Sequence, residues 1–259
     1  MEAWGLGMFM IAAGSVWTLL AYPGSPVAQA VRDPLLRLAL MGVAMGLTAM
    51  GIIYSPWGKQ SGAHLNPAVT LTFLRLGKVA RWDAFFYILF QFMGGLLGVV
   101  LVYIVLGEKL ARPPVSFVVT APGRDGATVA FLAEFMISFL LMLTILFTTN
   151  SARLMRLTGV FAGMLVAVYI AVEAPLSGMS MNPARTVASA LPAGVWTDIW
   201  IYFTAPVLGM QLAINVYRFV ARLITKKEPT VMCAKLNHHT HRRCIFKGCG
   251  YKAGQAHML

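Results

Sequence analysis

Ser61-Gly62-Ala63-His64-Leu65-Asn66-Pro67-Ala68-Val69-Thr70 and Ser177-Gly178-Met179-Ser180-Met181-Asn182-Pro183-Ala184-Arg185-Thr186 share the pattern S-G-x-x-x-N-P-A-x-T. Asn is a favoured N-cap, and Pro is favoured at the first helical position, where its missing N–H costs nothing. Each segment therefore predicts a helix start, over about Pro67–Leu76 and Pro183–Leu191. Helices of that length reach about 15 Å, half of a ~30 Å hydrocarbon core.

Around these segments lie long uncharged stretches: Trp4 to Ala21, Leu38 to Tyr54, Ala84 to Leu106, Leu157 to Val172 and Ile199 to Tyr217. A sixth, Thr128 to Thr149, is interrupted only by Glu134. Each is close to the ~20 residues that span a bilayer. Charged residues are 12% of the chain, against about a quarter in soluble domains, and the stretches have no polar face. A soluble all-helical core is thereby excluded. The first stretch begins without a basic leader or cleavage site, so it reads as a retained span and not as a signal peptide.

The expected fold is all-α and polytopic, with six transmembrane helices and two re-entrant half-helices. Each half has three spans, with an Asn-Pro-Ala segment between its second and third. An odd number of spans inverts one half relative to the other in the bilayer, and inverted repeats with interrupted helices at matching places point to a pathway between them. Repeat one covers 1–107 and repeat two 128–224, together a membrane domain 1–224, with a tail at 225–259. Gly95-x-x-Gly98 and Pro206-x-x-Gly209 extend the match into the third and sixth spans.

The formal charge of +12 invites a nucleic-acid reading, but its placement follows topology. With the first span starting inside, the cytoplasmic segments hold Lys59, Arg75, Lys78, Arg81, Arg153, Arg156, Arg218, Arg222, Lys226, Lys227 and five more in the tail, 15 of 21 basic residues. The positive-inside rule accounts for this, and no nucleic-acid partner is required.

Two half-helices meeting N-terminus to N-terminus place roughly +0.5 charge each near the membrane centre, which repels cations. Each motif Asn can cap its helix through its oxygen while its NH₂ donates into the lumen. A water there would accept two hydrogen bonds and turn its dipole, breaking a proton relay. Arg185 adds a fixed cation toward the outer mouth. Pore width, lining donors and an Arg or half-helix dipoles are the recognised selectivity devices of such pores.

These residues resemble the aquaporin and aquaglyceroporin superfamily (major intrinsic proteins), over about residues 1–224. The resemblance implies a pore in each protomer of a homotetramer, lined by Asn66, Pro67, Ala68, Asn182, Pro183 and Ala184. It also implies a four-position outer filter, here Ile170, Met179, Arg185 and either Met45 or Gly46. No His stands at position 170, so Arg185 faces an apolar wall, and water alone or water with glycerol both fit that chemistry. Glu2 and Glu134 are costly intramembrane carboxylates. By resemblance they hold backbone N–H groups of the half-helix loops, although Glu2, beside the terminus, also fits an interfacial site. His64 reads as a loop-packing residue, and Glu173 as a loop carboxylate near the outer mouth.

The tail carries all three cysteines, Cys233, Cys244 and Cys249, with His238, His239 and His241 between them. In the cytoplasm these would be thiols. One reading is a Cys₃His zinc site (Cys233, Cys244 and Cys249 with His238 or His241), though C-x₁₀-C-x₄-C is not a finger spacing. Redox sensing, or a basic tail lying on anionic lipid, are the others. Conduction itself requires no cofactor. The leading functional expectation is a passive channel for water and small neutral solutes that excludes ions and protons. A secondary transporter, or a channel-fold scaffold for a metal- or redox-sensing tail, are the alternatives. An enzyme is the weakest reading, since the spans hold no nucleophile–base pair. Compact loops without eukaryotic sorting signals suggest a bacterial inner membrane, with both termini cytoplasmic.

Overall fold

The computed structural model describes residues 1–226, 231–237, 244–247 and 249–250. The first half contains α1 (Glu2–Ala21), α2 (Pro26–Ala30), α3 (Pro34–Tyr54), α4 (Pro56–Ser61), α5 (Pro67–Arg75), α6 (Arg81–Leu106) and α7 (Glu108–Ala111). The second contains α8 (Gly126–Thr149), α9 (Thr158–Val172), α10 (Ala174–Ser177), α11 (Pro183–Ala193) and α12 (Ile199–Thr225). Among the described residues six helical segments are long and apolar enough to cross a membrane: α1, α3, α6, α8, α9 extended by the 3-10 turn Met155–Leu157, and α12. The half-helices α5 and α11 end at Arg75 and Ala193, one residue before and two beyond the sequence expectation. Short helices α2, α4, α7 and α10 were not legible in the pattern; three of the four carry Pro in their first turn.

The apolar surface faces outward. On α6, Phe85, Phe86, Leu97, Leu101, Ile104 and Val105 are exposed, the inverse of a soluble helix and the arrangement lipid requires. Lipid offers no hydrophobic drive for helix association, so close backbone packing has to hold the bundle. The two repeats supply it at matching places: α1 packs on α6, and α8 on α12. A Cβ at Gly98 would stand 2.4 Å from the Gly7 carbonyl oxygen, and one at Gly209 would stand 2.3 Å from that of Phe135. The Gly98 and Gly209 pair noted in sequence is thus the contact surface of each repeat's outer helices.

α1 begins and α12 ends on the same side of the bundle after six crossings. That side is called the terminal face here, and the other the far face. The described tail does not stand apart from the bundle. Val231, Cys233, Ala234, Leu236 and Phe246 are buried in the same apolar cluster as Met45, Ile170 and Met179. The expectation of a basic tail lying on lipid therefore does not hold for these described stretches, because their apolar side chains find a packed cleft at the terminal face. His238, His239 and His241 lie outside the described residues.

Candidate functional site

Two loops of matching construction lead into α5 and α11. In the first, Gly62, Ala63 and Leu65 have left-handed φ of 98°, 54° and 54°; in the second, Gly178, Met179 and Met181 have 80°, 50° and 55°. Left-handed backbone costs a side-chain-bearing residue roughly 1–2 kcal/mol. It persists because the loop amides are held on all sides. Ser61 Oγ accepts from Ala63 N at 3.1 Å, and Ser177 Oγ from Met179 N at 3.1 Å. The fourth loop residue reaches the motif's own threonine: His64 Nδ1 lies 3.1 Å from Thr70 Oγ1, and Ser180 Oγ 2.6 Å from Thr186 Oγ1. Tyr87 and Tyr202 donate to the carbonyls of Ser61 and Ser177 at 2.7 and 2.5 Å.

A buried carboxylate sits behind each loop. Glu2 accepts from His64 N (3.3 Å), Leu65 N (2.7 Å) and Gln91 Nε2 (2.8 Å). Glu134 accepts from Ser177 Oγ (2.7 Å), Ser180 N (2.6 Å) and Met181 N (2.7 Å). Glu2 is buried, so the interfacial placement does not hold: its neighbours are loop amides and Gln91, not headgroups. Glu173 also departs from the expected exposed loop carboxylate. It follows the last turn of α9, is 4% exposed and hydrogen-bonds Ser177 Oγ. Serine has one proton to donate. With Ser177 donating to Glu134, the Glu173–Ser177 bond is made by a carboxylic acid proton on Glu173.

The two Asn-Pro-Ala segments meet at their N-termini. Asn66 Oδ1 caps α5 through Ala68 N (2.8 Å), and Asn182 Oδ1 caps α11 through Ala184 N (3.0 Å) and Arg185 N (3.2 Å). Their amide groups cross over: Asn66 Nδ2 donates to Met181 O at 2.6 Å, and Asn182 Nδ2 to Leu65 O at 2.7 Å. The sequence reading has each NH₂ donating into the lumen, and the structure adds a bond from each to the other repeat. One N–H of each amide ties the two repeats together, and the second is left for the cavity that both residues line.

That cavity, about 580 Å³, runs from Pro34, Arg37 and Val118 near the far face, past Asn66 and Asn182, to Ile53, His64 and Leu236 near the terminal face. Pro67, Ala68, Pro183 and Ala184 are buried and start the half-helices without lining it. Of the expected filter positions, Met45, Ile170, Met179 and Arg185 line the cavity and Gly46 does not. Gly46 instead packs on α9, where a Cβ would come 2.5 Å from the Gly163 carbonyl oxygen. Arg185 is 7% exposed, and its Nη1 has no partner among the described residues. Arg185 as a residue lines the cavity together with Met45, Ile170 and Met179, which sets its guanidinium against an apolar wall.

Sequence reasoning missed Gln91, Ser177 and the Glu173 contact as parts of the loop support. The signal was partly present. Ser61, Ser177, Thr70 and Thr186 are matched positions of the repeat, and each binds loop or motif atoms. Gln91 has no such counterpart in the second half, where Tyr202 fills the comparable place. At the terminal face, the Sγ atoms of Cys233, Cys244 and Cys249 lie within 4.8 Å of one another, with Cys233 and Cys244 at 3.5 Å. No disulfide joins them.

Six crossings in two inverted halves, with two half-helices joined at capped N-termini beside one long cavity, define a multi-pass membrane protein of the aquaporin fold. A model of the major intrinsic protein family matches residues 3–217, and the chain belongs to that family. It is 40% identical over 179 residues to the NIP4-1 protein of Arabidopsis thaliana, covering 69% of this chain and 61% of that one. It is 32% identical over 212 residues to Aquaporin NIP1-1 of Arabidopsis thaliana, covering 80% of this chain and 71% of the relative. The chain spans about three fifths of the length of the first curated relatives that it matches. The X-ray structure of the aquaglyceroporin from Plasmodium falciparum superposes with a TM-score of 0.69 at 18% identity, over 87% of this chain and 97% of that one. At that identity the likeness concerns the fold alone.

Proposed function

We propose that the chain is a passive transmembrane channel for water and for small neutral solutes such as glycerol, excluding ions and protons. The observation that carries this reading is the pair Asn66 and Asn182 on one cavity wall, each capping a half-helix whose positive end faces its counterpart. The filter in this reading is Met45, Ile170, Met179 and Arg185. Arg185 supplies the donor, and the Met and Ile side chains suit the apolar edge of a polyol. Glu2, Glu134 and His64 hold the loops and carry no protons across. The assembly in this reading is a homotetramer with both termini in the cytoplasm, which the concentration of basic residues at the terminal face supports. A bacterial inner membrane rests on the compact loops; the relatives named above are plant proteins and lend it no support. Conduction needs no cofactor, and the clustered tail thiols favour a separate zinc-class site.

The test is stopped-flow light scattering of proteoliposomes under an impermeant osmotic gradient, followed by a glycerol gradient. Shrinkage faster than that of empty liposomes, then rapid re-swelling in glycerol, is the expected pair of results. Fast shrinkage without re-swelling would restrict the channel to water and make the two Met side chains its narrowing. A solute flux that saturates would support the transporter alternative.

A further inference from the structure

The cysteine cluster sits on the part of the tail that enters the cavity's terminal-face end. Leu236 lines that cavity beside Ile53, His64 and Ile145. Its backbone N–H donates to Gly62 O at 3.2 Å. His64 Nε2 lies 2.8 Å from Ala234 O, so the histidine that braces Thr70 on one side donates to the tail on the other. Phe246 stacks on the His64 ring, with centroids 5.9 Å apart and planes 5° from parallel. Met232 N donates to Asn150 Oδ1 at 2.8 Å, at the end of α8. Four contacts from two separate tail stretches thus converge on one mouth.

What joins those two stretches is chiefly the thiols. Cys233 belongs to the first, and Cys244 and Cys249 to the second. Among the described residues, the backbone bond between them is Gly250 N to Met232 O at 2.7 Å. A structural metal is a common staple for two short stretches that share few bonds with each other. Four-coordinate zinc thiolates have Zn–S near 2.3 Å, which puts the sulfurs about 3.8 Å apart. Three Sγ atoms already within 4.8 Å reach that spacing by rotamer adjustment.

We infer that Cys233, Cys244 and Cys249 bind one thiophilic ion of the Zn²⁺ class, and that this ion holds Leu236 and Phe246 in the terminal-face mouth and closes the pore. The inference rests on the proposed channel function. With the ion bound, the two stretches form one block and Leu236 stays in the cavity wall. Without it, the remaining bonds at Gly62, His64 and Asn150 are individually weak, and the mouth opens. Solute passage would then answer to metal supply on the side of the tail.

The experiment uses the full chain, as purified and after chelation, in vesicles with Zn²⁺ or chelator on both sides of the membrane. Bound zinc is counted by elemental analysis, and water flux is measured by stopped-flow scattering. The wild type is expected to bind one Zn²⁺ per chain, to lose most of its protein-dependent flux when loaded, and to recover it with chelator. A Cys233→Ser/Cys244→Ser/Cys249→Ser variant should bind none and conduct regardless of Zn²⁺. Leu236→Gly should still bind one Zn²⁺ but keep its flux when loaded. Failure of the wild type to bind Zn²⁺ would overturn the site. One Zn²⁺ per chain with unchanged flux would overturn the gate and leave the site standing. Flux at the empty-vesicle level in every variant and condition would overturn the channel reading on which the gate depends.

Discussion

Exchanging either of the two neighbouring carboxyl groups for an amide should give opposite results, because hydrogen-bond counting assigns them opposite proton states. Glu134 has no exposed surface and accepts three donors: Ser177 Oγ, Ser180 N and Met181 N. In Glu134→Gln one of the two oxygens becomes an NH₂. Its best orientation turns that group toward Met181 N and keeps the oxygen for Ser177 and Ser180. One buried backbone donor is then left facing another donor, which costs about 1–3 kcal/mol, and the two surviving bonds lose about 1 kcal/mol each with the charge. The sum is about 3–5 kcal/mol. For a chain of this size that is a fall in melting midpoint on the order of 10 °C. Glu173→Gln should be close to neutral, within about 1 kcal/mol, since an amide N–H can replace the acid proton that Ser177 Oγ accepts. Thermal unfolding in detergent, followed by intrinsic tryptophan fluorescence and by the monodisperse fraction, reads both. Equal destabilisation by the two changes, or a larger loss in Glu173→Gln, would refute the assigned proton states and the role given to Glu134.

Other consequences follow from the same contacts. Asn182→Ala removes a helix cap and the bond to Leu65 O, and should cost roughly 1–3 kcal/mol and most of the water flux, read by the same unfolding and scattering assays. Gly209→Ala should leave little folded protein on size-exclusion chromatography, because the added methyl meets Phe135 O at 2.3 Å. Gly51→Ala, a helical site with nothing within 4 Å, should instead raise stability by up to about 1 kcal/mol. Met45→Ala should raise glycerol flux relative to water, since Met45 lines the cavity, whereas Gly46→Ala should act on stability through its clash with α9. Zn²⁺ retention by the tail should weaken as pH falls, since thiol ligands must lose their protons to bind the ion; titrating bound zinc against pH checks this.

Much of the fold was legible because a bilayer leaves few solutions. Apolar length gives the spans, and their odd number per repeat gives the inversion. Asn-Pro pairs mark both half-helix starts to the residue, through capping chemistry that is local in sequence. What stayed out of reach depends on contacts between distant segments. The choice between Met45 and Gly46 turns on how α3 rotates against α9, which no periodicity in an all-apolar helix records. Gln91 joins Glu2 across 89 positions, and Ala234 joins His64 across 170. Glu173 looked like an ordinary loop acid because its burial comes from the re-entrant loop folding back over it. The tail looked polar by composition, yet Ala234, Leu236 and Phe246 are the residues that decide where it packs.

The most direct test of the central claim is water and proton flux in the same vesicles, reconstituted with chelated full-length protein and carrying an internal pH dye. The account predicts osmotic shrinkage well above that of empty vesicles, while an imposed pH gradient decays no faster than in those controls. Shrinkage at the empty-vesicle rate, or a pH gradient that collapses along with fast water flux, would contradict it.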